Sequence, residues 1–430
     1  MYIWDTRYET MNREEIELFQ LEKLQAMLNR LYLNVPYYKR IFNENKITPQ
    51  DIKTLSDIKK LPLMDKEVLK NNQPYGLFAI PLREVVRFHS TSGTTGNPIA
   101  VGYSKNDIKH WAELVARTLT SAGVNSNDVI QIAFEYGMFT GGLGFHYGGE
   151  LIGASIIPVS NINPDYQLQI MKDYKSTILL STPTMALSIL NALEKSNINK
   201  NELSLKIGIF GAEPWNEDVR KKIEEGLNIK CYDTYGISEL IGPGISSECQ
   251  FQNGLHLNED YFYAEIINPE TLEILKDGEE GELVLTSLNK EAFPLIRYRT
   301  KNITSINREK CKCGRSFLRL GRINKRSDDV IIINGIKIYP EVIGKIVSET
   351  GNLGEKFLIK IGRENGLDTV EISIEIKSGF VVNVISDFMK ITESIKTKIA
   401  KIYNISPDIK LVEPTTLSNV KKNYKISDLR

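Results

Sequence analysis

The 430-residue sequence lacks the features that mark membrane, secreted and nucleic-acid-binding proteins. No apolar run approaches the ~18–20 residues that cross a bilayer. The first residues lack the basic and apolar stretches of a secretory signal peptide. Lysine plus arginine (54) equals aspartate plus glutamate (54), so no net charge favours nucleic acid or an anionic membrane as a partner. These absences predict a cytoplasmic protein that binds neither.

Cysteine is also scarce, with four residues in the chain, so a secreted disulfide framework is a poor explanation for it. Cys249 is followed seven residues later by His256, and Cys311 and Cys313 flank one lysine before a glycine. Three thiolates and one imidazole form a closed tetrahedral zinc set, so we predict structural Zn²⁺ on these four residues. The alternative is that Cys249 is merely buried and His256 is a pocket or surface residue. Cys231 lies in a predicted strand and is expected in the core.

The length predicts two or three structural units, because a single core rarely exceeds ~250–300 residues. Between about residues 85 and 287, short apolar runs alternate with helical patterns, which favours a layered α/β domain with a largely parallel sheet. Ser104 stands three residues before Asp107, the spacing of a capping box, and predicts the start of a helix. The predicted strands in this region cover residues 99–103, 129–134, 155–159, 177–180, 207–210 and 229–232.

The two ends of the chain carry other patterns. An amphipathic helix lying on the core and ending before Pro36 is predicted from leucines at helical spacing. These leucines are Leu18, Leu21, Leu24, Leu28 and Leu31. From Asp329 onward, β-rich apolar runs between lysine- and glutamate-rich helical stretches predict a small α+β domain. Because the segment 321–329 is polar and suits a hinge, we predict a large domain over residues 1–327 and a small one over 328–430.

Three segments carry candidate chemistry. Residues 91–98, Thr-Ser-Gly-Thr-Thr-Gly-Asn-Pro, follow a predicted strand, and their glycines and hydroxyls suit an anion, although such a segment is more often a simple turn. Residues 211–215, Gly-Ala-Glu-Pro-Trp, begin where another strand is predicted to end. Residues 232–239, Tyr-Asp-Thr-Tyr-Gly-Ile-Ser-Glu, offer an aromatic face, a hydroxyl and a carboxylate that suits Mg²⁺. Together, in this order, they indicate a nucleotide site.

From about residue 15 to the C-terminus the chain resembles the adenylate-forming enzymes, which include the acyl-CoA synthetases. That superfamily has a Ser/Thr/Gly phosphate loop, a Tyr-Gly-x-Ser/Thr-Glu motif, a Tyr-Arg-Thr-Gly-Asp motif and an interdomain hinge. The phenylacetate–CoA ligase branch is indicated by residues 145–148 (FHYG), 211–215 (GAEPW), 242–244 (GPG), 294–300 (PLIRYRT) and 311–315 (CKCGR). The resemblance implies a large α/β adenylation domain that holds ATP and the acid, joined by a hinge to a mobile C-terminal α+β domain.

The resemblance implies two half-reactions. A small carboxylic acid, expected to be an aryl acid, attacks the α-phosphate of ATP to give acyl-AMP and pyrophosphate. After the small domain rotates, a thiol, usually that of coenzyme A, takes the acyl group. An in-line attack between two anions needs positioning and charge neutralisation more than a covalent protein group. ATP, Mg²⁺ and coenzyme A are therefore expected, beside the structural Zn²⁺.

The resemblance also assigns roles to individual residues. Glu239 is expected to hold Mg²⁺, and Lys422 to reach the carboxylate and the α-phosphate, with Lys421 and Lys425 as alternatives in a tail that otherwise reads as a solvated basic segment. Tyr136, Phe139 and Gly141 would line the acid pocket, and Asp328 would be the hinge. The nucleotide contacts are expected from Thr91, Ser92, Gly93, Thr94, Thr95, Gly96, Gly211, Ala212, Glu213, Pro214, Asp233, Tyr235, Gly236, Asn302 and Arg326.

The sequence departs from the family pattern on the nucleotide side of the site. Asn97 replaces a lysine, Lys301 and Asn302 replace the usual Gly-Asp, and Lys421 replaces the glycine before the catalytic lysine. These changes predict weakened or altered ATP binding. Near the acid pocket, Glu135 would repel an anionic substrate unless it points away, and residues 160–164 (SNINP) replace paired glycines.

Two alternatives to a CoA ligase follow from these departures and from the resemblance. The acyl group could pass to a carrier protein or a cofactor instead of coenzyme A, because a separate carrier would leave no trace in this sequence. The chain could also be a nucleotide- or acyl-binding homologue without turnover. A homodimer is left open as well.

Overall fold

The computed structural model describes residues 2–91, 98–333, 336–364, 367–377, 385–418, 420 and 423–429. The chain forms two structural units, the first built from Met1–Thr91 and Ile99–Ser327 and the second including Asp328–Arg430. The helices of the first unit are α1 (Thr6–Glu9), α2 (Arg13–Asn34), α3 (Pro36–Glu44), α4 (Lys66–Asn71), α5 (Lys105–Ser121), α6 (Gly141–Leu151), α7 (Pro164–Asp173), α8 (Pro183–Lys195) and α9 (Glu217–Leu227). Those of the second are α10 (Pro340–Thr350) and α11 (Ile385–Tyr403).

Fifteen strands are assigned within the described part of the first unit. They are β1 (Val85–Ser90), β2 (Ala100–Ser104), β3 (Val129–Ile132), β4 (Ser155–Ile157), β5 (Ile178–Ser181), β6 (Ile207–Gly211), β7 (Lys230–Ile237), β8 (Gly242–Ser247), β9 (Leu255–Leu257), β10 (Phe262–Ile267), β11 (Gly281–Ser287), β12 (Tyr298–Thr304), β13 (Ile306–Asn307), β14 (Arg319–Leu320) and β15 (Lys325–Arg326). The second unit contains β16 (Ile331–Ile333), β17 (Ile336–Ile338), β18 (Leu353–Glu364), β19 (Leu367–Ile376), β20 (Asp408–Val412) and β21 (Tyr424–Asp428).

The main sheet of the first unit has nine strands in the order β13-β14-β9-β8-β7-β6-β5-β3-β4. Strands β4, β3, β5, β6 and β7 pair in parallel, and the others pair antiparallel. A second, antiparallel sheet has the order β10-β11-β12-β15, and β1 pairs with β2. Because ligands of open α/β sheets bind at the carboxyl ends of parallel strands, the loops that follow β3, β5, β6 and β7 are the first place to look for a site.

The predicted start of α5 is confirmed in detail. The Ser104 side chain accepts a hydrogen bond from the backbone of Asp107, and the Asp107 side chain accepts one from the backbone of Ser104, so both form a capping box. Trp111 is fully buried on the inner face, its ring stacks 5.1 Å from that of Tyr103, and its indole N–H donates to the carbonyl of Pro243 at 2.9 Å. The helix therefore ties the main sheet to β2.

The N-terminal helix α2 corrects one prediction. Leu24 and Leu31 are fully buried, but Leu18 is 69% exposed, so the expectation that all five leucines face the core is wrong at this end. The buried stripe instead begins with Ile16 and includes Gln20, whose amide donates to the carbonyls of Glu259 and Phe262. At 100° per residue, position 18 lies away from that stripe.

The polar segment before the second unit is held by the first unit up to its last residue. Strand β15 pairs with β12, which places Arg326 opposite Asn302. The backbone N–H of Ser327 donates to the carbonyl of Lys301 at 2.8 Å, and its hydroxyl donates to the buried Glu282 at 3.0 Å. The chain leaves the first unit directly after these two bonds.

The second unit is an α+β structure, as predicted. Strands β20-β19-β18-β21 form one sheet with a central antiparallel pair and parallel outer strands, and β16 pairs with β17. Helices α10 and α11 contribute Ile343, Ile395 and Ile399 to a core shared with the sheet. Among the described residues of the whole chain, no helix is long and apolar enough to cross a membrane.

Candidate active site

The loops at the carboxyl ends of the parallel strands are linked to one another by hydrogen bonds. The hydroxyl oxygens of Thr140, after β3, and Ser238, after β7, lie 3.0 Å apart. The backbone N–H of Ser90, at the end of β1, donates to the carbonyl of Met138 at 3.1 Å. These contacts bring together, at one edge of the sheet, the Tyr-Gly-Ile-Ser-Glu motif, residues 134–142 (the predicted acid-pocket segment) and the strand that precedes the predicted phosphate loop.

The structure describes the predicted phosphate loop only at its borders. Thr91 and Ile99 pair through a backbone bond of 3.2 Å, and the Thr91 hydroxyl accepts from the N–H of Ile99 at 3.3 Å. The remaining predicted contacts of this loop and the predicted catalytic lysine lie outside the described residues, together with two of the departures from the family pattern. These residues are Ser92, Gly93, Thr94, Thr95, Gly96, Asn97, Lys421 and Lys422.

The Gly-Ala-Glu-Pro-Trp segment begins at the end of β6, where it packs closely against β7. A Cβ on Gly211 would lie 2.3 Å from the carbonyl oxygen of Thr234, so only glycine fits against β7. Ala212 has a φ of 71°, an uncommon conformation for a residue with a side chain. The carboxylate of Glu213 accepts from the backbone N–H of Thr184 at 2.5 Å. These contacts fix the chain, with Pro214 next in sequence, at the edge where the parallel strands end.

A buried acidic pair lies beneath that edge. Glu248 accepts two hydrogen bonds from Arg220, at 2.8 and 2.9 Å, and one from the backbone N–H of Asp233 at 2.8 Å. Burial, and then the charge of Glu248, raise the pKa of Asp233 to about 7. Both effects favour the neutral form of the Asp233 carboxyl group.

The Tyr235 hydroxyl connects β7 to the second sheet. It donates to Oδ1 of Asn302 at 2.9 Å, and the N–H of Asn302 donates to the hydroxyl of Thr300 at 3.1 Å. Because one lone pair of Oδ1 is engaged, the amide group of Asn302 presents its NH₂ and a single uncharged acceptor site to anything else that binds there. Lys301 points its charge elsewhere, since its Nζ lies 3.8 Å from Glu282.

The turn between β7 and β8 positions Glu239. A Cβ on Gly236 would lie 2.0 Å from the carbonyl oxygen of Gly242, so the two strands approach more closely than a side chain would allow. Glu239 follows two residues after the end of β7 and is buried. A buried carboxylate at this edge has the oxygen chemistry that Mg²⁺ prefers.

The predicted acid-pocket residues lie around the start of α6. The ring of Phe139 packs against Gly141, where a Cβ would come within 2.6 Å of it, and the ring of Tyr136 packs likewise against Gly142 at 2.9 Å. The backbone N–H of Tyr136 donates to the hydroxyl of Ser160 at 3.3 Å. The structure thus brings Tyr136, Phe139 and Gly141 together, and Glu135 is exposed beside them.

Sequence reasoning missed two polar residues on α6 next to this group. His146 lies 3.2 Å from the Tyr136 hydroxyl through Nδ1 and 3.2 Å from Glu150 through Nε2. On the same helix, the Tyr147 hydroxyl accepts from Arg87 at 2.7 Å. The spacing of a histidine and a glutamate four residues apart on a predicted helix was the available indication.

A further missed residue is a buried lysine that packs on a tyrosine ring of β2. Lys290 is 4% exposed, and its Nζ lies 3.2 Å from the centroid of the Tyr103 ring. Burial lowers the pKa of Lys290 to about 8, and the charge of Asp107 opposes this only in part. His89 also meets the Tyr103 ring edge-on, at 5.3 Å, and burial lowers its pKa. Nothing in the spacing of these residues along the chain indicates that they meet.

The four predicted metal ligands meet at one buried point. Their candidate ligand atoms all lie within 4.8 Å of one another. The Sγ atoms of Cys249 and Cys311 are 3.8 Å apart, and Sγ of Cys313 is 3.4 Å from Nε2 of His256. A zinc tetrahedron with ~2.3 Å Zn–S and ~2.0–2.1 Å Zn–N bonds has edges of about 3.8 and 3.5 Å, so the donor set fits zinc. Cys231 is buried in a separate core cluster, as predicted.

The imidazole in this group is oriented by its other nitrogen. Nδ1 of His256 lies 3.4 Å from the carbonyl oxygen of Phe317, which leaves Nε2 to face the thiols. Arg315 approaches Cys313 at 3.7 Å and pairs with the buried Glu9 at 2.5 Å. The N-terminal segment is thereby fastened to the cysteine group.

Comparisons with known proteins agree with the arrangement of these motifs. The model of the AMP-binding enzyme family matches residues 44–289, and that of the AMP-binding enzyme C-terminal domain matches residues 335–430. The chain belongs to the AMP-binding enzyme family. The family and the two-part α/β and α+β fold predicted from the sequence are confirmed.

Relatives of this AMP-binding enzyme include phenylacetate-coenzyme A ligases. That of Pseudomonas putida is 43% identical over 371 residues, which cover 86% of this chain and 84% of the relative. That of Escherichia coli (strain K12) is 38% identical over 425 residues, which cover 98% and 97% of the two chains. In fold, the chain matches a crystal structure of 2-hydroxyisobutyryl-CoA ligase with a TM-score of 0.93, over 100% of this chain and 93% of that one, at 24% identity.

Proposed function

We propose that this AMP-binding enzyme is an AMP-forming acid–thiol ligase that activates a small aryl carboxylic acid. A carboxylate oxygen of the acid attacks the α-phosphorus of ATP, and the bond from that phosphorus to the pyrophosphate oxygen breaks. The thiol sulfur of coenzyme A then attacks the acyl carbon, AMP leaves, and the thiol proton passes to solvent. The products are an acyl-CoA, AMP and pyrophosphate.

The observation that carries this proposal is the 3.0 Å contact between Thr140 and Ser238. It joins the segment with the aromatic acid-pocket residues to the segment with Glu239, so an acid and the phosphates of ATP would meet at one edge of the sheet. The phenylacetate-coenzyme A ligases related to this chain support the substrate class, because they align over most of its length.

The described residues suit the parts that this reaction needs. Mg²⁺, when bound, neutralises charge on the phosphates of ATP, and the buried Glu239 is the residue proposed to hold it. Asn302, with Tyr235, is proposed to face the ribose, and Asp233 to contact the base. Lys422 is proposed as the lysine needed for adenylation. Asp328 begins the second unit and is proposed as the hinge.

We propose further that Cys249, His256, Cys311 and Cys313 hold one structural zinc ion. Zinc, when bound, cross-links the turn after β8 to the segment between β13 and β14 through a closed set of four ligands. Arg315, which approaches Cys313 and donates to the carbonyl of Tyr2, would connect this group of ligands to the N-terminal segment.

The test is a panel of carboxylic acids assayed for pyrophosphate release with ATP and Mg²⁺, first without and then with coenzyme A. The ligase predicts acid-dependent pyrophosphate release and a thioester only when coenzyme A is present. Thioester formation on a phosphopantetheinyl carrier protein, with coenzyme A inert, would favour the carrier as acceptor. ATP binding without pyrophosphate release for any acid would favour a homologue that has lost turnover.

A further inference from the structure

A hydrogen-bond relay runs from the acid-pocket segment along one face of α6. The Tyr136 hydroxyl lies 3.2 Å from Nδ1 of His146, and Nε2 of His146 lies 3.2 Å from Oε1 of Glu150. The two rings meet edge-on, with centroids 5.9 Å apart and planes at 89°. His146 and Glu150 are four residues apart, so the helix itself sets their separation.

The donor and acceptor groups of the three side chains determine the direction of each hydrogen bond in the relay. A carboxylate can only accept, so Nε2–H of His146 donates to Glu150. In the neutral ring, Nδ1 then carries a lone pair and accepts the proton of the Tyr136 hydroxyl. The Tyr136 oxygen has therefore used its one donor inside the protein. What it offers to a bound molecule is a lone pair, which is a hydrogen-bond acceptor.

Tyr136 lies in the predicted acid-pocket segment, so a bound acid would meet this acceptor. Its ring packs on Gly142 at the start of α6, next to the Phe139 ring on Gly141. The segment that carries it contacts the end of β1 through Met138 and the Ser238 turn through Thr140. An aromatic acid with its carboxylate directed at the phosphate side would extend its ring toward Tyr136.

The charges around the relay also restrict which substituents the ring of the acid can carry. Glu135, adjacent in sequence, and Glu150, at the end of the relay, are both acidic and exposed. A second negative charge on the ring of the acid would be repelled there, whereas a neutral donor would be favoured.

We propose that the acid is an aryl monocarboxylate with a hydroxyl or amino group on its ring, recognised by the Tyr136 oxygen. This inference rests on the proposed function and deepens it, because it names the substituent that the relay selects. An unsubstituted ring would leave the Tyr136 acceptor without a partner in the complex, and a site built to receive a donor discriminates against analogues that lack one.

The experiment compares kcat/KM for phenylacetate with that for its 2-, 3- and 4-hydroxy and amino derivatives, using fluoro and methyl derivatives as size controls. We expect at least one hydroxy or amino acid to exceed phenylacetate and its size-matched control by about tenfold, equivalent to ~1.4 kcal/mol. A carboxy-substituted phenylacetate should be a poorer substrate than phenylacetate.

Three variants connect the preference to the relay. Tyr136→Phe should reduce the ratio of kcat/KM for the hydroxy acid to kcat/KM for phenylacetate to about one, whatever its effect on each value alone. Glu150→Gln no longer fixes the histidine tautomer and should lower the same ratio. Tyr147→Phe is the matched control, because it removes a hydroxyl from the same helix that is bound to Arg87 and not to the relay. It should leave the ratio unchanged.

The outcomes separate this inference from the proposed function. Pyrophosphate release for no acid at all would overturn the ligase itself. Turnover of phenylacetate with no preference for any donor-substituted ring would overturn the inference alone. So would a preference that survives Tyr136→Phe, since the relay would then be only a brace between α6 and the loop before it.

Discussion

The proposed ribose contact of Asn302 gives the sharpest test of a departure from the family pattern. Asn302 stands where the resembling enzymes have an aspartate, and its Oδ1 accepts from the Tyr235 hydroxyl at 2.9 Å. The amide therefore offers a nucleotide an NH₂ donor and one uncharged acceptor site on Oδ1, whereas ribose hydroxyls bind best to an acceptor with a negative charge. Asn302→Asp would keep the bond from Tyr235 on one oxygen and supply a second oxygen to the ribose.

The expected gain follows from two opposing effects. A charge-assisted hydrogen bond contributes ~1.5–3 kcal/mol net. Asn302 is 7% exposed, so a new carboxylate there would lose hydration. The Tyr235 hydroxyl and Arg326, opposite on β15, offset part of this loss, whereas Lys301 is directed at Glu282 and contributes little. A net gain of ~1.4 kcal/mol corresponds to about tenfold tighter ATP binding.

The assay is a calorimetric titration of ATP into the wild type and Asn302→Asp, repeated with 2′-deoxy-ATP and 3′-deoxy-ATP. Removing the hydroxyl that the new carboxylate binds should erase most of the gain for one of the two deoxy nucleotides. Unchanged ATP affinity, or the same gain for all three nucleotides, would refute the placement of Asn302 at the ribose.

Three further predictions concern the proposed zinc ligands, the proposed catalytic lysine and the buried Lys290. Purified protein should contain about one zinc per chain. Cys311→Ser should lose the metal and lower Tm by roughly 6–12 °C, for a loss of ~3 kcal/mol in the free energy of unfolding, whereas Cys231→Ala should keep the metal. Zinc-free wild-type protein prepared without chelator would contradict this prediction. Lys422→Ala should abolish acyl-AMP formation but spare thioester formation from synthetic acyl-AMP, with Lys425→Ala as the control; equal loss of both half-reactions would count against the role. The pKa of Lys290 is 10.5 in the unfolded chain and about 8 in the folded protein, so the unfolded chain binds more protons between pH 8 and 10.5. The free-energy cost of burying the charged side chain is therefore present below pH 8 and vanishes toward pH 10.5. Lys290→Met should therefore raise the free energy of unfolding by roughly 3 kcal/mol at pH 7 and by little at pH 10.5, as followed by denaturant titration, and a gain independent of pH would contradict the assignment.

The sequence was sufficient for features set by local pattern. The capping box at Ser104 and Asp107 depends on two side chains three residues apart, so spacing alone predicted it. The alternation of strands and helices gave the layered α/β unit, although strand ends differ by a few residues, as at β7, which runs on to Ile237. The cysteine group was also predicted, because the CxC-Gly turn is local and its partners are few.

Features that depend on contacts between distant segments were not predictable. Lys290 lies on the Tyr103 ring across almost 190 residues of chain, and only the packed structure brings them together. Helical spacing from the other leucines predicts Leu18 on the buried face of α2, but Leu18 is exposed. The buried face instead includes Gln20, whose amide donates to two carbonyl groups. Burial of a polar residue follows from its partners, which the local pattern does not contain.

The most direct measurement of the central claim is an isotope transfer. The acid is supplied with ¹⁸O in its carboxylate, together with ATP, Mg²⁺ and coenzyme A, and the products are analysed by mass spectrometry. If the carboxylate attacks the α-phosphorus, one labelled oxygen appears in AMP for each thioester formed, and pyrophosphate carries none. Label in pyrophosphate or phosphate, release of ADP in place of AMP, or thioester formed without label in AMP would contradict an acyl-adenylate.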